Sequence, residues 1–223
     1  PRSTLFPYTT LFRSTMAEPP LQIRVAAAPG DTGTTATLFG MTLRGSEPGV
    51  VVHTIGVNGA TFADYLHAEY FAPQLATLRP DLIIFSLGTN EAANARVFSS
   101  DSLTAVIDSL ITIMEKNDIH ASYLFTTPPA IYKRYRKNRK YYYKPNPIAG
   151  QVSTSLIRYA EAGDHTYWNW YTIMGGKNSM AKWKAKHLTD RKYLHFTMKG
   201  YSIQGILLEN AFRKAFEQYR TNR

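Results

Sequence analysis

The chain has 223 residues, of which 44% are hydrophobic and 13% aromatic, and it contains no cysteine. The lack of cysteine excludes thiolate metal sites and a cysteine nucleophile. No apolar run approaches the ~20 residues of a membrane span, so the composition predicts a soluble, packed globular domain. The formal net charge of +10 favours polyanionic partners, although seven of the 26 basic residues lie in the segment 133–144.

Residues 1–14, PRSTLFPYTTLFRS, have neither a helical nor a strand period. They also lack the apolar core and the cleavage site of a signal peptide. The segment resembles a translated sequencing adapter of the kind found at the ends of assembled metagenomic genes. We therefore expect a non-native tail with few contacts to the protein body, and a gene truncated at its N-terminus; a natural disordered tail is the alternative.

Residues 15–48 have a β-like pattern. The apolar alternation at 21–25 and 37–43 is interrupted by a turn cluster at 29–33, which predicts a hairpin or the last strands of a β domain. Residues 45–49 are rich in Gly, Ser and Pro and predict a turn or linker.

Beyond residue 49, strand-like and helical segments alternate. The predicted strands are 50–55, 82–87, 121–126 and 166–170, and the predicted helices are 62–78, 102–116, 148–162 and 200–219. The last helix is expected to turn Ile203, Ile206, Leu207 and Phe212 inward. This alternation predicts an α/β fold with a parallel sheet covered on both faces. Functional residues are then expected in the loops at the carboxyl ends of the strands.

Two of these loops are rich in small and amide residues. Asn58 and Gly59 follow the first predicted strand, and Asn90 follows the second. Backbone N–H groups at small residues and an Asn amide can stabilise the oxyanion of an acyl transfer. Gly and Asn are also ordinary turn residues, so either loop alone has that second interpretation.

His195 lies just before the last predicted helix, with Asp190 five residues earlier. An imidazole beside a carboxylate is the base that a serine hydrolase needs. A structural histidine near a helix start is the alternative.

Together, these blocks resemble the GDSL/SGNH hydrolase superfamily. Gly59 matches its second block, Asn90 its third and His195 its fifth, over about residues 49–219. The resemblance implies a flavodoxin-like three-layer fold and ester hydrolysis without a metal or other cofactor. It also implies oxyanion donors at Gly59 and Asn90 with possible help from Asn58, a general base at His195, and a periplasmic or extracellular location.

The sequence departs from the family at two places. The family's acid usually stands three residues before the histidine, where this chain has Lys192, so Asp190 can serve only if the loop bulges. The family's Gly-Asp-Ser block is missing. Gly30-Asp31-Thr32 imitates that block, but strand-like sequence follows it, and we interpret it as a hairpin turn.

Bacterial peptidoglycan O-acetylesterases, which are relatives of this superfamily, carry a carbohydrate-binding β domain inserted between the first and second blocks. Residues 15–48 resemble the end of such an insert, and residues 49–223 a hydrolase domain without its first block. This resemblance implies an acetylated glycan or peptidoglycan as substrate. It also implies a fragment that lacks the serine and is inactive. The sequence does not indicate an oligomeric state.

The basic segment 132–144 interleaves tyrosines with lysines and arginines. It can be a solvated loop, a loop that contacts a polyanionic glycan, or a nucleic-acid groove. No RNA-binding motif accompanies it, which disfavours nucleic acid. A non-catalytic polyanion-binding module on the same scaffold is therefore the alternative to an esterase. Trp168, Trp170 and Trp183 are interpreted as core or rim aromatics rather than a sugar platform.

Overall fold

The computed structural model describes residues 15–18, 20–26, 37–45 and 47–222, and it divides the chain into two units, residues 1–55 and 56–223. The described residues of the first unit are exposed and lie outside helices and strands. The strands predicted at 21–25, 37–43 and 50–55 are therefore not formed, because their apolar side chains face solvent instead of packing in a sheet. Residues 1–14 and Gly30-Asp31-Thr32 lie outside the described residues.

The strands of the second unit form a parallel sheet and a separate hairpin. They are β1 (Leu82–Phe85), β2 (Ser122–Thr126), β3 (Tyr132–Lys137), β4 (Lys140–Pro145) and β5 (Thr166–Trp168). The sheet has the order β1-β2-β5 with parallel pairing throughout, while β3 and β4 pair antiparallel. The predicted parallel α/β architecture is confirmed.

Eight helices accompany these strands within the described residues. They are α1 (Phe62–His67), α2 (Phe71–Leu78), α3 (Thr89–Asn94), α4 (Ser100–Lys116), α5 (Pro147–Ala162), α6 (Trp170–Ile173), α7 (Ser179–Ala185) and α8 (Met198–Thr221). No helix in this part of the chain is both long and apolar enough to cross a bilayer.

The core lies around β2. Four consecutive residues of this strand, Tyr123 to Thr126, are buried, so both faces of the strand are covered. Helix α4 contributes Ile107 and Met114 to the core, and α5 contributes Val152 and Leu156, all of them fully buried. This packing fixes the carboxyl end of β1, after which the loop of Asn90 begins.

The helix predicted over 62–78 is two helices. α1 ends at His67, and Ala68 is extended before α2 begins at Phe71. Pro73 explains the break, because proline lacks the N–H that a continuous helix would need there. Near the start of α2 that missing N–H has no consequence, since the first N–H groups of a helix have no partner within the helix.

The basic segment is a hairpin instead of a loop without regular structure. Asn138 and Arg139 both have positive φ, at 48° and 63°, as the two central residues of a type I′ turn require. Lys137 and Lys140 face each other beside this turn. The sequence lacked the usual Asn-Gly signal, so the turn was not recognised.

Helix α8 is more exposed than its sequence pattern predicts. Gly200 is its one buried residue, whereas Ile206, Leu207 and Phe212 are each more than a third exposed and Ile203 is half-buried. The expected inward face is wrong because the described residues cover little of the helix beyond its first turns.

Candidate functional site

A tight turn carries the two residues predicted to follow the first strand. The N–H of Ala60 donates to the carbonyl of Val57 at 3.2 Å, which places Asn58 and Gly59 in the middle of the turn. Gly59 has φ +83°, a backbone conformation that suits glycine. The hydrogen bond that closes the turn does not use the N–H of Gly59, so this N–H remains available as a donor.

A capping box begins α1 directly after the turn. The Thr61 N–H donates to Asp64 Oδ2 at 2.8 Å, and the Asp64 N–H donates to Thr61 Oγ1 at 3.3 Å. These bonds fix the direction in which the chain leaves Gly59. The hydroxyl of Thr61 also donates to Asp64 Oδ2, and its hydrogen bonds keep the pKa of Asp64 below its usual value.

Asn90 joins the second loop to the first. Its side-chain amide Nδ2 donates to the carbonyl oxygen of Ala60 at 2.8 Å, next to Gly59. An amide nitrogen carries two hydrogens, so the second remains for another acceptor. The structure thus brings the Asn90 side chain beside the Gly59 turn, as two donors to a common oxyanion require.

Glu91 strengthens the same junction, and the sequence interpretation missed it. Its Oε1 accepts from the N–H of Phe62 at 2.7 Å, and its Oε2 accepts from the N–H of Gly88 at 2.9 Å. Burial raises the pKa of Glu91, and the two N–H bonds act in the opposite direction. A signal was available, because a glutamate three residues after a helix N-cap is the second member of a capping box.

His195 lies in a closed loop before α8. Thr189 and Phe196 form an antiparallel bridge, and the Asp190 N–H donates to the His195 carbonyl at 2.8 Å. Tyr193, between Asp190 and His195, has a left-handed backbone with φ +57°. The imidazole of His195 is exposed.

Asp190 is in the same loop, but its carboxylate serves the backbone. Asp190 Oδ1 accepts from the N–H groups of Lys192 and Leu194, each at 3.0 Å. Within the described residues, no hydrogen bond joins the carboxylate to the His195 ring. The loop therefore brings Asp190 and His195 together through their backbones.

The hairpin connects the histidine loop to the Asn90 helix. The Tyr132 N–H donates to the Tyr193 carbonyl at 3.1 Å, and the two rings stack with centroids 4.8 Å apart. At the same open end of the hairpin, where Tyr132 pairs with Pro145, the buried Asn146 donates from Nδ2 to the Ala92 carbonyl in α3 at 2.7 Å. The two candidate loops are thus held by one continuous element.

No serine or threonine hydroxyl in the described part of the chain is hydrogen-bonded to His195. In the same residues, no group of three or more His, Asp or Glu side chains is placed to hold a metal ion. The site therefore has candidate oxyanion donors and a candidate base. Among the described residues, no nucleophile is hydrogen-bonded to that base.

The parallel sheet and its helices form the SGNH hydrolase fold, and the loop that carries Asn90 follows the carboxyl end of β1. The chain matches the model of the GDSL-like lipase/acylhydrolase family over residues 19–203, and it belongs to that family. No curated protein matches the chain.

One solved structure supports the fold. A peptidoglycan O-acetylesterase superposes with a TM-score of 0.62 at 22% identity, over 72% of this chain and 45% of that chain. The present chain thus spans less than half of that relative's length. A GDSL-like lipase from Bacteroides thetaiotaomicron VPI-5482 gives a TM-score of 0.48 at 23% identity, over 70% of this chain and 73% of the lipase. A putative acylhydrolase from Bacteroides fragilis NCTC 9343 gives 0.49 at 20% identity, over 70% and 72%.

Proposed function

We propose that the protein removes O-acetyl groups from a carbohydrate, with acetylated peptidoglycan as the first candidate substrate. Membership of the GDSL-like lipase/acylhydrolase family supports ester hydrolysis. The name of the peptidoglycan O-acetylesterase with the same fold supports the choice of substrate. Such a substrate lies outside the cytoplasm, so we place the protein in the periplasm or the extracellular space.

The observation that carries this proposal is the junction between the Gly59 turn and Asn90. Asn90 Nδ2 donates to the Ala60 carbonyl oxygen at 2.8 Å. The hydrogen bond that closes the turn comes from the N–H of Ala60 and not from that of Gly59. In the proposed mechanism these two donors bind the carbonyl oxygen of the ester as it becomes negatively charged. Asn58, at the neighbouring position of the turn, assists.

His195 is the general base in this proposal. It takes the proton from a serine hydroxyl as the serine oxygen attacks the ester carbonyl carbon, and it returns that proton to the sugar oxygen as the C–O bond breaks. Water then hydrolyses the acetyl-enzyme by the same proton route, releasing acetate. Asp190, the proposed acid, orients the loop of His195 by accepting from the N–H groups of Lys192 and Leu194.

The serine is not assigned to any described residue. We propose that it comes from a Gly-Asp-Ser block in another part of the gene, upstream of the second block. The alternative nucleophile, Thr32, lies outside the described residues.

Hydrolysis of p-nitrophenyl acetate and release of acetate from O-acetylated peptidoglycan test the proposal. The 223-residue chain should hydrolyse neither substrate above its His195→Ala variant, because loss of the nucleophile typically costs on the order of 10⁶ in turnover. A form extended upstream to Gly-Asp-Ser should be active, and should lose activity on His195→Ala or on mutation of that serine. Activity of the 223-residue chain that Thr32→Ala abolishes would assign the nucleophile to Thr32 instead.

A further inference from the structure

The β3–β4 hairpin places like charges directly opposite each other. Lys133 faces Lys144, and Lys137 faces Lys140, on the same face of the ribbon. Like-charged cross-strand pairs are destabilising. An anion held between two such ammonium groups would relieve this repulsion, so a pair that also lines a cleft is a candidate anion site.

The pair formed by Lys133 and Lys144 lies in a cleft. These two lysines line a space of about 540 Å³ together with Arg96 and Arg134. The start of α5, at Pro147, also lines it and adds the partial positive charge of a helix N-terminus. The lining, formed wholly by described residues, contains no Asp or Glu, so nothing in it neutralises the four cations.

This cleft lies beside the candidate ester site. Asn146, which also lines the cleft, is bonded to the carbonyl of Ala92 in the helix that carries Asn90. The hairpin strand that bears Lys133 begins with Tyr132, whose ring stacks on Tyr193 of the histidine loop. A polymer whose ester enters the site could therefore place a neighbouring unit in the cleft.

We propose that this cleft binds the carboxylate groups of an acidic glycan chain whose ester occupies the neighbouring site. The glycan identity rests on the proposed function, whereas the anionic character rests on the cleft itself. RNA is less favoured because two tyrosine rings of the hairpin already have a partner on one face. Tyr132 stacks on Tyr193, and the Arg134 guanidinium lies 4.5 Å from the centroid of the Tyr141 ring.

Binding of an oligogalacturonate to the 223-residue chain tests the proposal, because binding needs no nucleophile. The dissociation constant is measured by titration calorimetry at low and at physiological ionic strength. A cello-oligosaccharide of equal length serves as the neutral ligand, and a single-stranded RNA of equal charge as the phosphate ligand. We expect the oligogalacturonate to bind more tightly than the cello-oligosaccharide or the RNA, and we expect its binding to weaken as salt is added.

The double variant Lys133→Gln/Lys144→Gln should weaken this binding by about tenfold. The matched control, Lys137→Gln/Lys140→Gln, removes the same charge from the same hairpin face outside the cleft and should change it by less than about twofold. The charge-preserving Lys133→Arg/Lys144→Arg variant should retain binding, which separates loss of charge from loss of folding.

Equal weakening in the cleft and control variants, tighter binding of RNA, or no binding of the oligogalacturonate would each overturn the proposal. If the upstream-extended form hydrolyses esters but does not bind the oligogalacturonate, this inference is wrong and the proposed function stands. Binding through the cleft in a protein whose extended form hydrolyses no ester would contradict only the proposed function.

Discussion

Glu91 has a structural task that its place in a turn-like motif does not reveal. One carboxylate accepts from the N–H groups of Phe62 and Gly88, which lie at the starts of helices α1 and α3, at 2.7 and 2.9 Å. Charge-assisted bonds of this kind are stronger than bonds between neutral groups. Glu91 therefore helps to position Asn90, the residue before it, together with the bond from Asn90 to Ala60.

The raised pKa of Glu91 predicts a pH dependence of stability. The folded protein binds this proton more tightly than the unfolded chain, so the contribution of Glu91 is largest below its usual pKa of 4.5 and falls as the pH rises through the higher folded value. Glu91→Gln should remove this slope. Urea unfolding of both proteins from about pH 4 to 7 measures it. The free energy of unfolding of the wild type minus that of Glu91→Gln should fall as the pH rises, and an increase would contradict the assignment. The titration of Asp64 affects both proteins equally and so does not alter this difference.

The two glycines of the site should differ in their tolerance of a side chain. A Cβ on Gly88 would lie 3.0 to 3.3 Å from Val152, Pro128 and Leu156, in addition to the positive φ of 101°. A Cβ on Gly59 would meet nothing within 4 Å. Gly88→Ala should therefore lower the free energy of unfolding by about 2–3 kcal/mol and Gly59→Ala by about 1 kcal/mol. Equal losses of unfolding free energy in the two variants, measured by urea unfolding, would show that the positive φ alone determines the cost of the side chain.

At the scale of elements, the hairpin and the histidine loop stabilise each other. Tyr193 stacks on Tyr132, contacts the ring of Tyr143 with centroids 5.5 Å apart, and lies 4.0 Å from the ammonium of Lys184. A single ring thus links two strands, a loop and a helix. Its left-handed backbone limits what can replace it.

Tyr193→Asn should loosen the histidine loop, because asparagine accepts positive φ but cannot stack. We expect faster amide hydrogen exchange over residues 189–196 and a loss of about 1–2 kcal/mol in unfolding free energy. Tyr141→Thr removes an exposed ring from the same hairpin and should leave that exchange unchanged. Equal acceleration in both variants would mean that Tyr193 has no special coupling to the loop.

The elements that the sequence predicted correctly are those whose signal lies in neighbouring residues. Helix α4 and strand β2 appear within two residues of their predicted bounds, because apolar periodicity and burial agree there. The hairpin was missed because its turn, Asn138-Arg139, adopts positive φ without glycine and its charges suggested solvation. The capping-box spacing of Glu91 is a local signal, but its bond to Phe62, 29 positions away, was missed because only the fold brings the two residues together.

For the whole molecule, the described residues before Gly56 contrast with the packed second unit. Leu21, Val50 and Val52 are each at least 80% exposed and lie outside helices and strands. Predicted strand character therefore did not produce strands, since strand formation depends on a hydrogen-bonded neighbour as well as on composition.

Brief digestion with thermolysin, which cuts before apolar residues, should therefore cleave first within residues 21–55. Mass spectrometry should find a protected fragment that begins between Val50 and Thr61 and includes α8. First cuts within α4 or β2 would contradict this division of the chain.

The three tryptophans of the protein form one cluster that contacts Phe196, the residue after His195. The rings of Trp168 and Trp170 stack with centroids 5.2 Å apart, Trp183 meets Trp170 edge-on at 5.5 Å, and the ring of Phe196 lies 5.2 Å from that of Trp183. The tryptophan emission of the entire chain therefore originates beside the histidine loop. The protein carries a built-in optical reporter, and its intrinsic fluorescence records whether that loop is in place.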